Sequence, residues 1–595
     1  MSALLTAVGI LISIGGCGLF GKDGPEETVA AFLAAWSAGD DAGAAVLTDD
    51  PPAAAEVLAT SRGTLAPERI DATLAQLRTA TDRAAASIDV TWILGPDRAW
   101  SYLGEIQLLA APDTEQGWQV AWAPTVVHPR LAVGQRLATQ TDEATPAPVV
   151  DRAGVPVLEA TPVVSVLLDR LATGDLPTVA GALAQALAPL EPTITAQSIT
   201  DGAARTPDGQ AYTVAVLRDA DYQIVKPAVY ELPGVRFSTA ERLLAPNAGF
   251  ARQVLPGVRT ETASQVEGIA GWSVLVVDAS GATVATLVEQ APRPGSTVTV
   301  GLDRVVQDAA EDAVEPLGQQ AMIVAVAPSS GEILAVAQNG PADAAGALAL
   351  TGRYPPGSTF KMATAVAAIT ASGLTTTSPV ACPGTIVIGG RPVPNAGGFD
   401  LGTVPLLTAF ARSCNTTFAQ IGSQLGPDAL PTAAAGLGLG ADYAIPGMVT
   451  ITGSVPVSDD VVQRAENGIG QGQVLASPLG MALMAATVAR GTPVVPELVR
   501  GRPTQVVKPA TAPDPAAVDQ LRQMMRAAVT EGTGARLAGL GEVHGKTGTA
   551  EFTNDGRAHG WFVGYRGDVA FAVLVVDSGS SEPAVAAAER FLAAR

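Results

Sequence analysis

The 595-residue chain has few of the side chains from which metal sites are commonly built. It contains only three cysteines and three histidines, and they are widely scattered. Structural zinc sites need such ligands at short spacings, so this scatter predicts that the protein holds no metal. The glycine pattern GLGLGA follows a helical segment rather than a strand, so we expect no dinucleotide and no other cofactor. The cysteines and histidines are Cys17, Cys382, Cys414, His128, His544 and His559.

Lysine is also scarce, because the chain has only five and uses arginine for nearly all other positive charge. Acidic residues outnumber basic ones by 57 to 36, which gives a formal net charge of -21. A protein that follows the phosphates of nucleic acid needs basic patches, so we expect no nucleic-acid partner. With 47% apolar residues the chain has material for several cores, and its length suggests about three or four domains.

Charge is absent between Ala3 and Phe20, after which the sequence turns abruptly polar. An apolar run of this length is typical of an export signal or a membrane anchor. The stretch ISIGGC resembles the bacterial lipobox, whose cysteine is lipidated after cleavage before it. We therefore predict that residues 1–22 are a signal and that lipid on Cys17 anchors the protein to the extracytoplasmic face of the bacterial membrane. An uncleaved N-terminal helix is the alternative anchor.

Three folded regions are predicted after this segment. Residues 25–131 combine helical and alternating patterns, as in a small α+β domain, and contain no catalytic constellation. A polar, proline-bearing stretch separates them from residues 150–292, where helical and strand-like patterns alternate. Residues 298–595 begin and end with strand-like segments and have alanine-rich helices between them. This order predicts a multidomain α+β protein that ends in an α/β sandwich with a helical insert.

The stretch YPPGSTFKMATA contains a serine directly after a Pro-Pro-Gly turn and a lysine three positions later. The turn predicts a helix that begins at Ser358, with Ser358 and Lys361 one turn apart on one face. The lysine amine can then reach the serine hydroxyl, and free N–H groups face the oxyanion that forms when serine attacks a carbonyl. An ordinary helix cap with an exposed lysine has the same spacing. The scarcity of lysine favours the catalytic interpretation.

Two further motifs follow in chain order. ARSCNTTFAQ supplies Ser413 and Asn415, and HGKTGTAE supplies Lys546, Thr547 and Gly548 in a strand-like segment. Each motif is weak alone. Their order and wide spacing match the serine acyltransferase set Ser-x-x-Lys, Ser-x-Asn and Lys-Thr-Gly, so together they predict an acyltransferase active site.

With these motifs the chain resembles the class B penicillin-binding proteins, the members that carry only transpeptidase activity. RYPPGSTFKM, IGQGQVLASPLGMALMAATVARG and MMRAAVTEGTGA are similar to connecting segments of that family. Residues 25–131 resemble the nuclear-transport-factor-like N-terminal domain of low-affinity members, and residues 150–292 resemble their pedestal domain. Residues 298–595 resemble the transpeptidase domain, which has a serine β-lactamase-like fold. With Cys17, the chain is similar to an actinobacterial penicillin-binding lipoprotein.

The resemblance implies a role for each motif residue. Ser358 would be the nucleophile that forms an acyl-enzyme, and Lys361 would be the base that takes its proton. This role requires burial and the nearby charge of Lys546 to lower the pKa of Lys361. Ser413 would pass a proton to the leaving amine, and Asn415 would hold both the substrate amide and Lys361.

The strand motif would bind the substrate. Lys546, Thr547 and Thr549, which flank Gly548, would hold the substrate carboxylate, and backbone N–H groups of Ser358 and Thr549 would form the oxyanion hole. The implied reaction cleaves the D-Ala-D-Ala bond of a peptidoglycan stem peptide and passes the acyl group to an acceptor amine, and β-lactams would acylate the same serine. No glycosyltransferase-like segment is found, so a separate glycan polymerase is the expected partner.

Three other functions stay open from the sequence. A serine β-lactamase shares the first and third motifs but hydrolyses its acyl-enzyme rapidly. A D,D-carboxypeptidase differs only in using water as the acceptor. A non-catalytic β-lactam sensor or scaffold would use the same fold as a receptor.

Cys382 and Cys414 form a further open question. Export implies an oxidising compartment, and closing a loop of about thirty residues would stabilise the protein by about 3 to 4 kcal/mol in the chain-entropy model. Two buried free thiols are the alternative, because the sequence does not give the distance between them.

Overall fold

The computed structural model describes residues 24–552 and 556–595. The chain forms two compact units. One contains the described residues up to Thr145 together with Ile269–Arg293, and the other contains Pro146–Gly268 together with Pro294–Arg595. The predicted anchor residue Cys17 and the whole signal segment lie outside the described residues.

The first part of the chain contains three helices and then a run of long strands. They are α1 (Pro25–Ala38), α2 (Asp41–Val46), α3 (Pro51–Leu65), β1 (Arg69–Thr79), β2 (Arg83–Gly95), β3 (Arg98–Ala110), β4 (Trp118–Val120) and β5 (Arg136–Asp142). Strands β1 to β4 form an antiparallel sheet in sequence order. Side chains from α1, α3 and the sheet share one core, whose largest members include Phe32, Trp36 and Trp92. Alternation of buried and exposed residues along β2 and β3 shows that one face of the sheet covers this core.

The middle part alternates strands and helices. They are β6 (Val149–Val150), β7 (Pro156–Leu168), α4 (Leu176–Leu187), α5 (Ala196–Arg205), β8 (Tyr212–Arg218), α6 (Asp219–Val229), β9 (Val235–Leu244), α7 (Leu255–Val266), β10 (Gly271–Val277) and β11 (Thr283–Gln290). Strand β7 pairs with both β8 and β9. Helices α4, α5 and α6 cover this sheet and share a small core with it.

The hairpin β10–β11 differs from the sequence prediction, which included it in a middle domain over residues 150–292. In the structure β10 pairs with β5, and Trp272, Val274 and Val276 join the core of the first unit. The hairpin therefore belongs to that unit. A local pattern predicts that a segment is a strand, but the partner of that strand is set by packing between residues far apart in the chain.

The last part contains most of the helices. Its elements are β12 (Val298–Thr299), α8 (Arg304–Val314), β13 (Ala321–Val326), β14 (Ile333–Gln338), α9 (Gly340–Asp343), α10 (Leu348–Thr351), α11 (Lys361–Ser372), β15 (Pro379–Cys382), β16 (Thr385–Ile388), β17 (Arg391–Pro394), β18 (Gly402–Pro405), α12 (Leu406–Ala411), α13 (Asn415–Gln424), α14 (Ala429–Gly436), β19 (Asp442–Ala444), β20 (Gly453–Ser454), α15 (Val461–Gly468), β21 (Leu475–Ala476), α16 (Pro478–Arg490), β22 (Gln505–Lys508), α17 (Pro515–Thr530), β23 (His544–Glu551), β24 (Ala558–Arg566), β25 (Val569–Val575) and α18 (Glu582–Ala593).

A five-stranded antiparallel sheet in the order β14-β13-β25-β24-β23 organises this part. Alternate residues of β13 enter different cores, since Met322 and Val324 pack with α11 and α16 whereas Ile323 packs with α8 and α18. Helices cover both faces, which explains why β13 and β25 are buried along their whole length. This is the sandwich with a helical insert that the sequence predicts. The edge strand β23 carries the Lys-Thr-Gly motif.

No helix within the described ranges is both long enough and apolar enough to cross a membrane.

Candidate active site

A tight turn places Ser358 at the start of a buried helix. Residues Gly357–Phe360 form a 3₁₀ turn, and α11 follows at once. Gly357 has φ +54, and its N–H donates to the carbonyl of Gly470 at 2.8 Å. A Cβ at Gly357 would lie 2.6 Å from the carbonyl oxygen of Thr549. Only glycine lets the turn approach β23 this closely, and the approach brings Ser358 next to the strand motif.

The first turn of this helix is tighter than the α-helical start that the sequence predicts. Side chains three residues apart eclipse each other in a 3₁₀ turn, so Ser358 and Lys361 still lie on one side. Ser358 is half-buried, whereas Lys361 has no exposed surface. The Ser358 hydroxyl makes no hydrogen bond to any residue that the structure describes, which leaves it available to a substrate.

The amine of Lys361 lies among neutral oxygen atoms. Its Nζ donates to the carbonyl of Ser413 at 2.8 Å and to Asn415 Oδ1 at 2.7 Å, and it lies 3.3 Å from the Ser413 hydroxyl. The two short contacts use two N–H groups, which is the number that a neutral amine carries. Because a hydroxyl can donate as well as accept, the Ser413 hydroxyl suits the lone pair of a neutral amine.

A second buried lysine shares this hydroxyl. Lys546 Nζ donates to Ser413 Oγ at 2.8 Å and to the carbonyl of Thr547 at 3.1 Å. Lys546 also has no exposed surface. Lys361 lies 52 positions before Ser413 in the chain, and Lys546 lies 133 positions after it. The two amines thus meet at the hydroxyl of Ser413.

Burial changes the charge of both lysines. It lowers the pKa of Lys361 well below the usual value, and the ammonium of Lys546 lowers that pKa further. Burial also lowers the pKa of Lys546, to about 7. At Lys361 the neighbouring ammonium adds to the effect of burial, and this favours a base at Lys361 and a cation at Lys546.

A strained turn between α12 and α13 carries the middle motif. Ser413 has φ +60, in the left-handed region that residues other than glycine rarely adopt. The next residue, Cys414, forms a disulfide with Cys382 at the end of β15. The side chain of Asn395 donates to the carbonyls of Pro383 and Phe399, and its Oδ1 accepts from the N–H of Thr416, so it joins the segment after Cys382 to the segment after Cys414. The disulfide and these hydrogen bonds hold the backbone next to Ser413 in place.

The strand motif lies directly beside the Ser358 turn. A Cβ at Gly548 would lie 2.8 Å from the carbonyl oxygen of Pro356, so this position also requires a residue without a side chain. Thr549 is half-buried and lies next to the turn, whereas Thr547 is almost fully buried. The hydroxyl of Thr547 makes a 2.5 Å hydrogen bond with that of Thr533.

The structure thus brings all eight predicted site residues into one region, and hydrogen bonds join Lys361, Ser413, Asn415 and Lys546. Thr533 and Gly470 also belong to this region, although neither is predicted from the sequence. Thr533 lies in TEGTGA, which resembles only a connecting segment. Gly470 is the middle glycine of GIGQGQ, and this spacing of glycines is the sequence feature that could have indicated a turn there. The roles of the eight residues stay a prediction.

Two family models match the chain. Residues 321–594 match the penicillin binding protein transpeptidase domain, and residues 24–135 match the NTF2-like (nuclear-transport-factor-like) N-terminal transpeptidase domain. The first range includes all three motifs. The second covers the helices and sheet of the first unit up to β4.

Curated proteins with related sequences come from mycobacteria. The chain is 35% identical over 261 residues to "Peptidoglycan D,D-transpeptidase PbpA" of Mycolicibacterium smegmatis, which is 39% of this chain and 51% of that protein. It is 34% identical over 251 residues to the protein of the same name from Mycobacterium tuberculosis, which is 38% of this chain and 50% of that protein. The chain spans about half the length of these curated relatives.

A solved structure supports the fold. The PBP2 chain of a complex between penicillin-binding protein PBP2 and MreC from Helicobacter pylori superimposes with a TM-score of 0.59 at 18% identity, over 77% of this chain and 98% of that one. At this identity the similarity concerns the fold alone. With the two family models, it confirms the predicted fold class. The chain therefore contains a penicillin binding protein transpeptidase domain that follows an NTF2-like N-terminal transpeptidase domain.

Proposed function

We propose that the protein is a peptidoglycan D,D-transpeptidase that works through an acyl-enzyme on Ser358. The observation that carries this proposal is the environment of Lys361. This amine is fully buried, held by Ser413 and Asn415, and has a pKa well below that of an ordinary lysine. A neutral amine one 3₁₀ turn from a serine hydroxyl is the activated pair that acyl transfer needs.

In the acylation step, Ser358 Oγ attacks the carbonyl carbon of the penultimate D-Ala of a stem peptide. The hydroxyl proton goes to Lys361, and the developing oxyanion accepts hydrogen bonds from the backbone N–H groups of Ser358 and Thr549. The bond to the terminal D-Ala nitrogen then breaks, and a proton reaches that nitrogen from Lys361 by way of the Ser413 hydroxyl. D-Ala leaves as a free amino acid.

In the second step, the amine of another stem peptide attacks the ester carbonyl. Lys361 takes a proton from that amine and gives it to Ser358 Oγ as the ester bond breaks, so Ser358 leaves as the alcohol and the new amide bond joins the two peptides. The cation at Lys546 and the hydroxyls of Thr547 and Thr549 hold the donor carboxylate in the first step. A β-lactam presents a similar carboxylate and carbonyl, so it acylates Ser358 by the same route.

We further propose that the protein acts on the extracytoplasmic face of the cell membrane, anchored by lipid at Cys17 or by an N-terminal helix. The sequence carries an apolar segment and a lipobox-like ISIGGC before Pro25, and this supports the proposal. A transpeptidase of this kind needs glycan strands made by a separate polymerase, which is the partner we expect. Globomycin treatment of producing cells tests the lipid anchor, since it should leave an uncleaved precursor that a Cys17→Ser variant also gives.

Intact-mass spectrometry of the full-length chain with benzylpenicillin tests the nucleophile. We expect a single adduct, mapped to the peptide that contains Ser358, that persists far longer than it takes to form. The Ser358→Ala variant should stay unmodified. An adduct that clears within seconds would mean a β-lactamase, and a folded protein that never gains the adduct would refute the assignment. A stem peptide with an added amine then separates transfer to the amine from hydrolysis.

A further inference from the structure

Two phenylalanine rings lie beneath the two buried lysines. Lys361 Nζ is 5.6 Å from the ring centre of Phe418, and Lys546 Nζ is 5.7 Å from the ring centre of Phe410. The rings contact each other edge to face, with centres 6.0 Å apart. All four side chains are fully buried. Each amine therefore has one aromatic face as a close neighbour.

The rings add negative potential to a site whose other described contacts carry no formal negative charge. No carboxylate of the described residues lies within ion-pair distance of Lys361 or Lys546, although arginines form such pairs throughout the chain. The other contacts of the two amines are neutral oxygens of Ser413, Asn415 and Thr547. A buried ammonium without a counter-ion is costly, and an aromatic face within about 6 Å offsets part of this cost.

The two phenylalanines lie close in the chain to the motif that contains Ser413. Phe410 belongs to α12 and Phe418 to α13, and the strained turn at Ser413 joins these two helices. The same short helical hairpin thus carries the hydroxyl shared by both amines and the ring beneath each amine. A shift of this hairpin would move the hydroxyl and both rings together.

We propose that Phe410 and Phe418 are positioning residues, each of which holds one lysine head group beside Ser413 and stabilises its charged form. The inference rests on the proposed function and adds two residues to it. The two rings serve different needs, because Lys546 must stay charged to bind a carboxylate whereas Lys361 must be able to lose its proton. Phe410 supports substrate binding, and Phe418 limits how easily Lys361 is deprotonated.

Few charged or titratable groups surround the amines of Lys361 and Lys546 among the described residues. Among the residues that the structure describes, the charged group that acts on Lys361 is Lys546, and no carboxylate forms an ion pair with either amine. Among the described residues that contact the pair, α12 and α13 supply Phe410, Asn415 and Phe418, which do not titrate. The shared turn supplies Ser413, and β23 supplies the carbonyl of Thr547. A change of ring should therefore appear directly in how the two amines titrate.

The test compares Phe418→Leu and Phe410→Leu in the full-length chain. The acylation rate constant with benzylpenicillin is measured from pH 5 to 10. The rate should rise as Lys361 loses its proton and fall as Lys546 loses its own. Phe418→Leu should move the rising limb to lower pH by about 0.5 to 1 unit, and Phe410→Leu should move the falling limb to lower pH by a similar amount. Phe410→Leu should also raise KM for a D-Ala-D-Ala peptide more than it lowers kcat.

Phe571→Leu is the matched control. Phe571 is as fully buried, lies on β25 in the other core, and contacts the rings of Phe562 and Phe591 rather than an amine. Its variant should lose stability while both limbs of the pH profile stay in place. Unmoved limbs in the two lysine-facing variants, with only a uniform loss of rate, would overturn the inference and show that the rings act by packing alone.

A second measurement changes the charge of the rings without removing a side chain, so the protein should still fold. Biosynthetic replacement of phenylalanine by 4-fluorophenylalanine withdraws charge from the ring face and barely changes its volume. Both limbs should then move to lower pH, by less than in the leucine variants, and unmoved limbs would again overturn the inference. If the wild type itself gives no adduct at Ser358, the proposed function fails. If it gives the adduct and the limbs do not move, only the role of the rings fails.

Discussion

Lys361 and Lys546 meet at one hydroxyl, that of Ser413, at 3.3 and 2.8 Å. Both amines are fully buried, and burial lowers the pKa of each. The ammonium of Lys546 also disfavours a second charge on Lys361. The shared hydroxyl can accept from the charged lysine and donate to the neutral one, so it joins the two amines by hydrogen bonds.

Replacing Ser413 by alanine should therefore impair acylation severely. The variant removes the hydroxyl that links the two amines but keeps the backbone carbonyl that Lys361 also contacts. We expect the acylation rate constant for benzylpenicillin to fall by roughly 10²- to 10⁴-fold, the usual range for loss of a proton-transfer group. Stopped-flow or intact-mass kinetics measure it. Ser423→Ala, in which the lost hydroxyl bonds only to its own helix, is the control. An unchanged rate in the Ser413 variant would contradict a relay.

Replacing Lys546 by methionine should stabilise the protein and abolish its activity. The pKa of Lys546 is about 7 in the fold and about 10.4 in an unfolded chain. Between these values the unfolded chain binds more protons, so the stability of the wild type rises with pH there. A buried lysine thus costs stability most at and below pH 7.

We therefore expect the methionine variant to gain on the order of 1 kcal/mol in unfolding free energy at pH 7. The gain should shrink as the pH approaches 10. Thermal melting at several pH values, beside an exposed Lys508→Met control, checks this. A variant that is less stable than the wild type at pH 7 would mean that the Lys546 hydrogen bonds outweigh the cost of its burial.

The local parts of the site can be predicted from the sequence. Ser358 and Lys361 are three residues apart, so their proximity follows from any helical turn. Lys-Thr-Gly falls on a strand as predicted, and alternation along that strand is a local property. These features depend on neighbours in the chain, and a pattern in one sequence can show them.

The remaining features depend on contacts between distant residues. The meeting of Lys361 and Lys546 at Ser413, the left-handed backbone of Ser413 and the pairing of β10 with β5 are all set by tertiary packing. No local pattern encodes them. Phe410 and Phe418 stand three residues before and three residues after Ser413–Asn415, but in sequence they look like ordinary core residues of two short helices.

Thr533 should contribute to recognition of the substrate carboxylate. Its exposed hydroxyl pairs with that of Thr547 at 2.5 Å, and its N–H donates to the carbonyl of Ala411. Thr533→Val should leave Thr547 without this partner and raise KM for a D-Ala-D-Ala peptide roughly 2- to 10-fold, the worth of one hydrogen bond. Thr533→Ser should restore the wild-type KM. With the same peptide as its C-terminal amide the effect should vanish, and an equal effect on acid and amide would contradict a role in carboxylate binding.

The Cys382–Cys414 disulfide should support both stability and the position of Ser413. The bridge joins residues 32 positions apart whose Cα atoms are 6.2 Å apart, within the usual range for a disulfide. Closing such a loop is worth about 3 to 4 kcal/mol in the chain-entropy model. The double variant Cys382→Ala/Cys414→Ala should therefore melt several degrees below the wild type. Because Cys414 lies between Ser413 and Asn415, the double variant should also be acylated more slowly by benzylpenicillin.

Peptide mapping without reduction should first recover the two cysteine peptides as one linked species. Both sulfur atoms are fully buried, so a reductant acts slowly on the folded protein, and the double variant is the cleaner comparison. Asn395 also joins the two cysteine segments, because it donates to the carbonyl of Pro383 and accepts from the N–H of Thr416, so Asn395→Ala in the wild type separates the effect of the hydrogen bonds from that of the covalent link. If the bridge positions Ser413, the double variant should lose acylation rate even at temperatures where it is fully folded. A folded double variant with the wild-type rate would restrict the bridge to a role in stability, and two unlinked peptides from the wild type would rule the bridge out.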